Sequence, residues 1–126
     1  MSVRAGDLET LFRDALKGMT AIQIQNPIRQ PADQTSKIKR LVKVQSPDKT
    51  ALLVDFLSEV LAQSQINKEV YTDVKFLEFS ETKLKAEIYG MPVENFDEDI
   101  KAVTYHEAEI KQNEKGEWET ILVFDV

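Results

Sequence analysis

The stretch DKTALLVDFLSEVLAQSQ, residues 48 to 65, constrains the fold most, because Leu52, Leu53, Phe56, Leu57, Val60 and Leu61 recur at the spacing of one broad helical face. A face that wide must be covered by more than one element, so this helix is expected at the centre of the core. Asp48 suits its N-cap, and the polar run QSQINKE closes it. Upstream, Leu8, Leu11, Phe12, Ala15, Leu16 and Met19 make a second apolar stripe and predict a helix capped by Asp7. Residues 21 to 36, with Pro27, Pro31 and many polar side chains, show little period and read as a long connection. Next, Ile38, Val42 and Val44 alternate with Lys39, Lys43 and Gln45, the signature of a strand with one wet face, and Pro47 ends it.

Beyond the second helix the pattern changes to strands. EVYTDVKFLEFS and TKLKAEIYG, joined at Ser80-Glu81 and ending at Gly90-Met91-Pro92, predict a hairpin, and VENFDED reads as an acidic loop. Residues 100 to 111 and 117 to 126 flank NEKG, where Asn113 suits the first position of a type I turn and Gly116 the left-handed residue after it. A three-residue loop of Glu114, Lys115 and Gly116 pairs Asn113 with Glu117 and, in an unbroken ladder, sets Tyr105 opposite Asp125. Lys101 then shares their face, about 13 Å along the strand from Tyr105. A four-residue loop would shift the pairing by one and move Lys101 to the other face. The order of elements predicts an α+β fold, two helices packed on a mainly antiparallel sheet with a C-terminal hairpin. At 126 residues the chain suits a single domain, 1–126.

Composition narrows the function classes. Cysteine is absent, which removes disulfides, thiolate metal sites and cysteine nucleophiles, and leaves a cytoplasmic address as the default. The longest mostly apolar run, residues 51 to 62, is interrupted by Asp55 and Glu59 and is too short to span a membrane. A formal charge of −6 argues against a broad basic surface for nucleic acid and fits a basic or metal-bearing partner better.

The segments LETLFRDALKGM, IKAVTYHEAEI and WETILVFDV, in this order and spacing, resemble the archease family, and the intervening strand, helix and two strands extend the resemblance over nearly the whole chain. The resemblance implies a non-enzymatic accessory protein of the GTP-dependent RtcB-type RNA ligase in tRNA splicing and RNA repair. Such a protein promotes ligase guanylylation and repeated turnover with a bound divalent cation, calcium being the candidate. RNA is then met only through the ligase. The family's KAxTY lysine falls on Lys101 and its acidic residue near the C-terminus on Asp125. The family also carries an aspartate in an HTAD motif on its first strand, a few residues before the position matched by Ser2-Val3-Arg4. This sequence starts after it, so either its start lies downstream of the natural one or this member lacks that ligand, and the first strand is expected to be shortened at its N-terminus.

The residues fit such a role chemically. A hard cation prefers several oxygens, which the Asp125 carboxylate, nearby carbonyls and the terminal carboxylate of Val126 could begin to supply. Lys101 could position a phosphate or meet an acidic group as a flexible point charge. Plainer readings stand beside these. A lysine at a strand end commonly just discourages edge pairing, and an aspartate near a C-terminus is commonly surface filler. The lone His106 is more readily a packed or hydrogen-bonded residue than a ligand, and Tyr105 a half-buried strand aromatic; both are assigned supporting roles. Glu94, Asp97, Glu98 and Asp99 lack the spacing of a calcium loop. Lys37, Lys39, Arg40 and Lys43 divide between two strand faces, which breaks any phosphate track. An RNA- or protein-binding chaperone-like module is the alternative function. A metal-dependent hydrolase would need more clustered ligands than one histidine and scattered acids.

Overall fold

The computed structural model describes residues 1–25 and 38–126, and a short strand, β1 (Ser2–Ala5), precedes the first helix. Val3 and Ala5 turn inward while Ser2 and Arg4 stay exposed. Asp7 then caps α1 (Leu8–Gln23) by accepting the Thr10 amide at 2.7 Å, which satisfies one of the helix's orphan donors. Leu11, Phe12, Ala15, Leu16 and Met19 of its stripe are fully buried. The connection read over 21 to 36 starts later than expected, because residues 21 to 23 complete the helix; positions 26 to 36 lie outside the described residues.

In β2 (Ile38–Gln45) the expected alternation holds, with Val42 buried and Lys39, Lys43 and Gln45 exposed. Asp48 caps α2 (Lys49–Asn67) through the Ala51 amide at 2.8 Å. All six residues of its apolar face are buried, and so are Val54 and Ser64, which confirms its central position. The hairpin follows as β3 (Glu69–Phe79) and β4 (Lys83–Pro92). Its turn sits at Glu81 and Thr82, one residue later than read, since the Ser80 amide donates to the Lys83 carbonyl at 2.8 Å. These strands form an antiparallel sheet in the order β2-β4-β3. Phe12 of α1 and Phe56 of α2 meet Phe76 and Phe79 of β3 on its covered face, with Phe12 and Phe79 edge to face at 5.1 Å.

The last turn also forms as read. Gly116 has φ 82°, its amide donates to the Asn113 carbonyl at 3.0 Å, and the Asn113 amide donates to Glu117 at 2.8 Å. The ladder beyond it is not continuous. Each arm breaks in two: β5 (Ala102–Thr104) and β6 (Lys111–Gln112) on the first, β7 (Trp118–Ile121) and β8 (Val123–Asp125) on the second. Lys111 faces Glu119 but Thr104 faces Val123, so the six residues 105 to 110 on one arm answer the three residues 120 to 122 on the other. Ala102, not Tyr105, therefore stands opposite Asp125. The excess is taken up by a turn in which Glu107 adopts φ 62° and the Ala108 amide donates to the Tyr105 carbonyl at 3.1 Å. Burial drives the excursion: Ala108 and Ile110 enter the core, and the Ile110 amide caps onto the Thr50 hydroxyl of α2 at 3.1 Å. β7 pairs with β1 and β6, while β5 and β8 make a separate two-stranded ladder, completing the α+β fold. Among the described residues no helix is long and apolar enough to cross a membrane.

Candidate functional site

Lys101 is fixed from both sides. Ile100 before it is buried, and its carbonyl accepts the Gln65 side-chain amide of α2 at 2.5 Å. After it, Val103 is buried and β5 is locked to β8. Between these anchors the Lys101 amide donates to the Asp125 carbonyl at 2.6 Å, and both residues are exposed. The expected separation of four residues along one face is thus replaced by direct adjacency of the two backbones. Within the ladder Ala102 stands on the side of Asp125, so the register that set Tyr105 opposite Asp125, from which Lys101 was expected to share its face, is corrected. Among the described residues no ion pair joins them.

Lys101 opens onto a depression of about 560 Å³ that it lines with Gln65, Lys68, Asn95, Phe96 and Asp99. Its far wall is the acidic loop, which is pinned to the ends of both helices. The Val93 amide donates to the Lys68 carbonyl at 2.9 Å and the Asp97 amide to the Gln23 carbonyl at 2.8 Å. The Asp97 carboxylate in turn accepts the Gln25 amide at 2.7 Å. Lys68 carried no signal in the sequence beyond ending a polar helix tail; its place here depends on how α2 terminates.

Tyr105 and His106 sit apart from this depression, in the turn between β5 and β6. Tyr105 is 57% exposed, not half-buried in a strand, and its hydroxyl donates to Asp55 Oδ1 at 2.5 Å. The Ser46 hydroxyl donates to Asp55 Oδ2 at 2.6 Å. The bond to Asp55, then burial, pushes the Tyr105 phenol up to about 12. His106 is exposed, and its amide donates to the Thr104 hydroxyl at 3.3 Å, so it is not a packed residue. Tyr105 thus ties the turn to Asp55 of α2, while the His106 bond stays within the turn itself.

The cation suggested by the resemblance finds few oxygens. Asp125 and the terminal carboxylate of Val126 are adjacent in the chain, but among the described residues no group of three or more His, Asp or Glu side chains could hold a metal ion. A hard cation takes about six to eight oxygens. Asp7 is already engaged as a helix cap. The described donors therefore do not build a cation site by themselves.

These features define the class: a two-helix α+β domain with antiparallel sheets that displays its candidate residues at exposed strand ends. The model of the archease protein family matches residues 1–126, and the chain belongs to that family. A protein archease from Methanosarcina mazei is 30% identical, over 94% of this chain and 83% of its own length. One from Pyrococcus abyssi is 35% identical over 69% of this chain and 66% of its own length, just under two thirds. Two solved structures share the fold. The solution structure of Methanobacterium thermoautotrophicum protein 1598 matches with a TM-score of 0.73 at 23% identity, over 99% of this chain and 89% of that one. The crystal structure of a Thermotoga maritima archease, named there a possible chaperone, matches with a TM-score of 0.68 at 12% identity, over 100% and 88%.

Proposed function

We propose that this protein is a non-enzymatic accessory factor of an RtcB-type RNA ligase, raising ligase guanylylation and repeated turnover in tRNA splicing and RNA repair. The observation that carries the reading is the 2.6 Å bond from the Lys101 amide to the Asp125 carbonyl, which draws the two residues matched by the family resemblance to one exposed end of the domain. There a flexible cation and a carboxylate can meet charged groups of another protein. Membership of the archease family and the name of the Thermotoga relative favour action on a partner protein. The reading uses no step through a cation. It is tested by adding the protein to the cognate ligase: Lys101→Ala and Asp125→Ala should each lose the stimulation of guanylylation while keeping the wild-type circular dichroism spectrum. Full stimulation by both variants refutes it.

A chaperone-like RNA-binding module is the second reading, favoured by one feature of the sheet. Lys43 stands directly opposite Lys85 on the face away from the helices, beside Lys83 in a depression of about 370 Å³ that also holds Glu78. Retention of RNA by the isolated protein, weakening steeply as salt rises, would support this reading.

A further inference from the structure

Lys68 holds a backbone conformation that lysine adopts reluctantly. It ends α2 with φ 55° and ψ 59°, the left-handed region where helices commonly close on glycine because a Cβ crowds the following carbonyl. The closure itself needs only backbone. The Lys68 amide donates to the Ser64 carbonyl, and the Lys68 carbonyl accepts the Val93 amide at 2.9 Å; glycine would make both bonds. A cation near a helix C-terminus is favourable, yet any position in the last turn would serve without left-handed backbone. The side chain has a different setting: it lines the depression that Lys101 also lines. Within the described residues neither ammonium group enters an ion pair, although Asp99 shares the wall. Two unpaired cations facing one recess stand out in a chain of net charge −6.

We propose that Lys68 and Lys101 form a two-cation oxyanion site in this depression, taking a phosphate or carboxylate group. The proposal rests on the functional reading of Lys101 and extends that site to a residue on a different element. Two ammonium groups satisfy a divalent oxyanion better than one, and Asp99 excludes groups placed too near its own wall.

The test replaces Lys68 by glycine, which removes the cation and relieves the backbone. Amide chemical shifts are followed while inorganic pyrophosphate or citrate is titrated into the full chain. The expected result is shifts centred on residues 68 and 99 to 101. Affinity should fall about tenfold in Lys68→Gly, the loss of one charge-assisted contact, and return in Lys68→Arg. The melting temperature of Lys68→Gly should equal or exceed that of the wild type. Tighter pyrophosphate binding identifies a phosphate-borne anion, and tighter citrate binding a carboxylate. Shifts centred elsewhere, or equal affinity in Lys68→Gly, overturn the site. In the ligase assay, full stimulation by Lys68→Gly with none by Lys101→Ala removes the two-cation site and keeps the reading of Lys101. Full stimulation by both removes that reading as well.

Discussion

Arg40 and Glu69 show how a single residue can be misread in isolation. In sequence Arg40 belongs to a lysine cluster that might touch phosphate; in the fold it makes two bonds, at 3.0 and 2.8 Å, to the buried carboxylate of Glu69, which also accepts the Tyr71 hydroxyl at 2.7 Å. The separation of Arg40 from Lys39 and Lys43 was legible from alternation, but the partner on β3 was not; Lys37 lies outside the described residues. The Arg40 bonds hold the Glu69 carboxyl below its usual range against the opposing effect of burial, while burial and then Glu69 push the Tyr71 phenol up to about 12. A lowered carboxyl contributes stability that is present above the unfolded value, about 4.3, and is lost as pH falls through the folded one. Thermal melts of the wild type should therefore fall more steeply below about pH 4.3 than those of Glu69→Gln, and parallel curves would contradict this. At high pH the sign reverses: stability from the raised phenols of Tyr71 and Tyr105 is complete below about 10 and is lost as pH climbs toward 12. Tyr105→Phe removes a hydrogen bond that is largely exposed, so chemical denaturation should show a loss of only about 1 kcal/mol. A loss several times larger would mean that the turn depends on more than the bond to Asp55.

At the scale of elements, both helices and their aspartate caps were legible, because apolar spacing and a capping residue are local signals. The final turn was equally legible, since Asn113 and Gly116 specify it within four residues. What failed was the register beyond it. Burial of two apolar residues, Ala108 and Ile110, outweighs a continuous ladder, and that competition depends on where α2 lies. Gly90 shows the same limit. It read as a strand end, yet it lies inside β4 opposite Tyr71, where an added Cβ would come within 1.9 Å of the Val70 carbonyl oxygen. Because backbone cannot yield as a side chain does, Gly90→Ala should lose about 3 kcal/mol or more in urea unfolding. A near-neutral result would show that β3 and β4 can separate locally at this point.

Over the whole molecule, segments far apart in sequence meet at one end: Gln65 and Lys68 from the close of α2, Asn95 to Asp99 from the acidic loop, Lys101 from just before β5, and Asp125 from β8. Lys101 and Asp125 could be named from the sequence through the family resemblance. Lys68 could not, since its position follows from a left-handed helix ending that no pattern announces. The helices supply the frame, and the two terminal ladders carry charge to its edge. The proposed role requires that this edge let a partner ligase work repeatedly. Counting RNA joints formed per ligase active site, with this protein, with Lys101→Ala and with Asp125→Ala, tests it most directly. The expected result is many joints per ligase with the wild type, and no more with either variant than with the ligase alone. Wild-type counts from both variants would refute the role of these two residues.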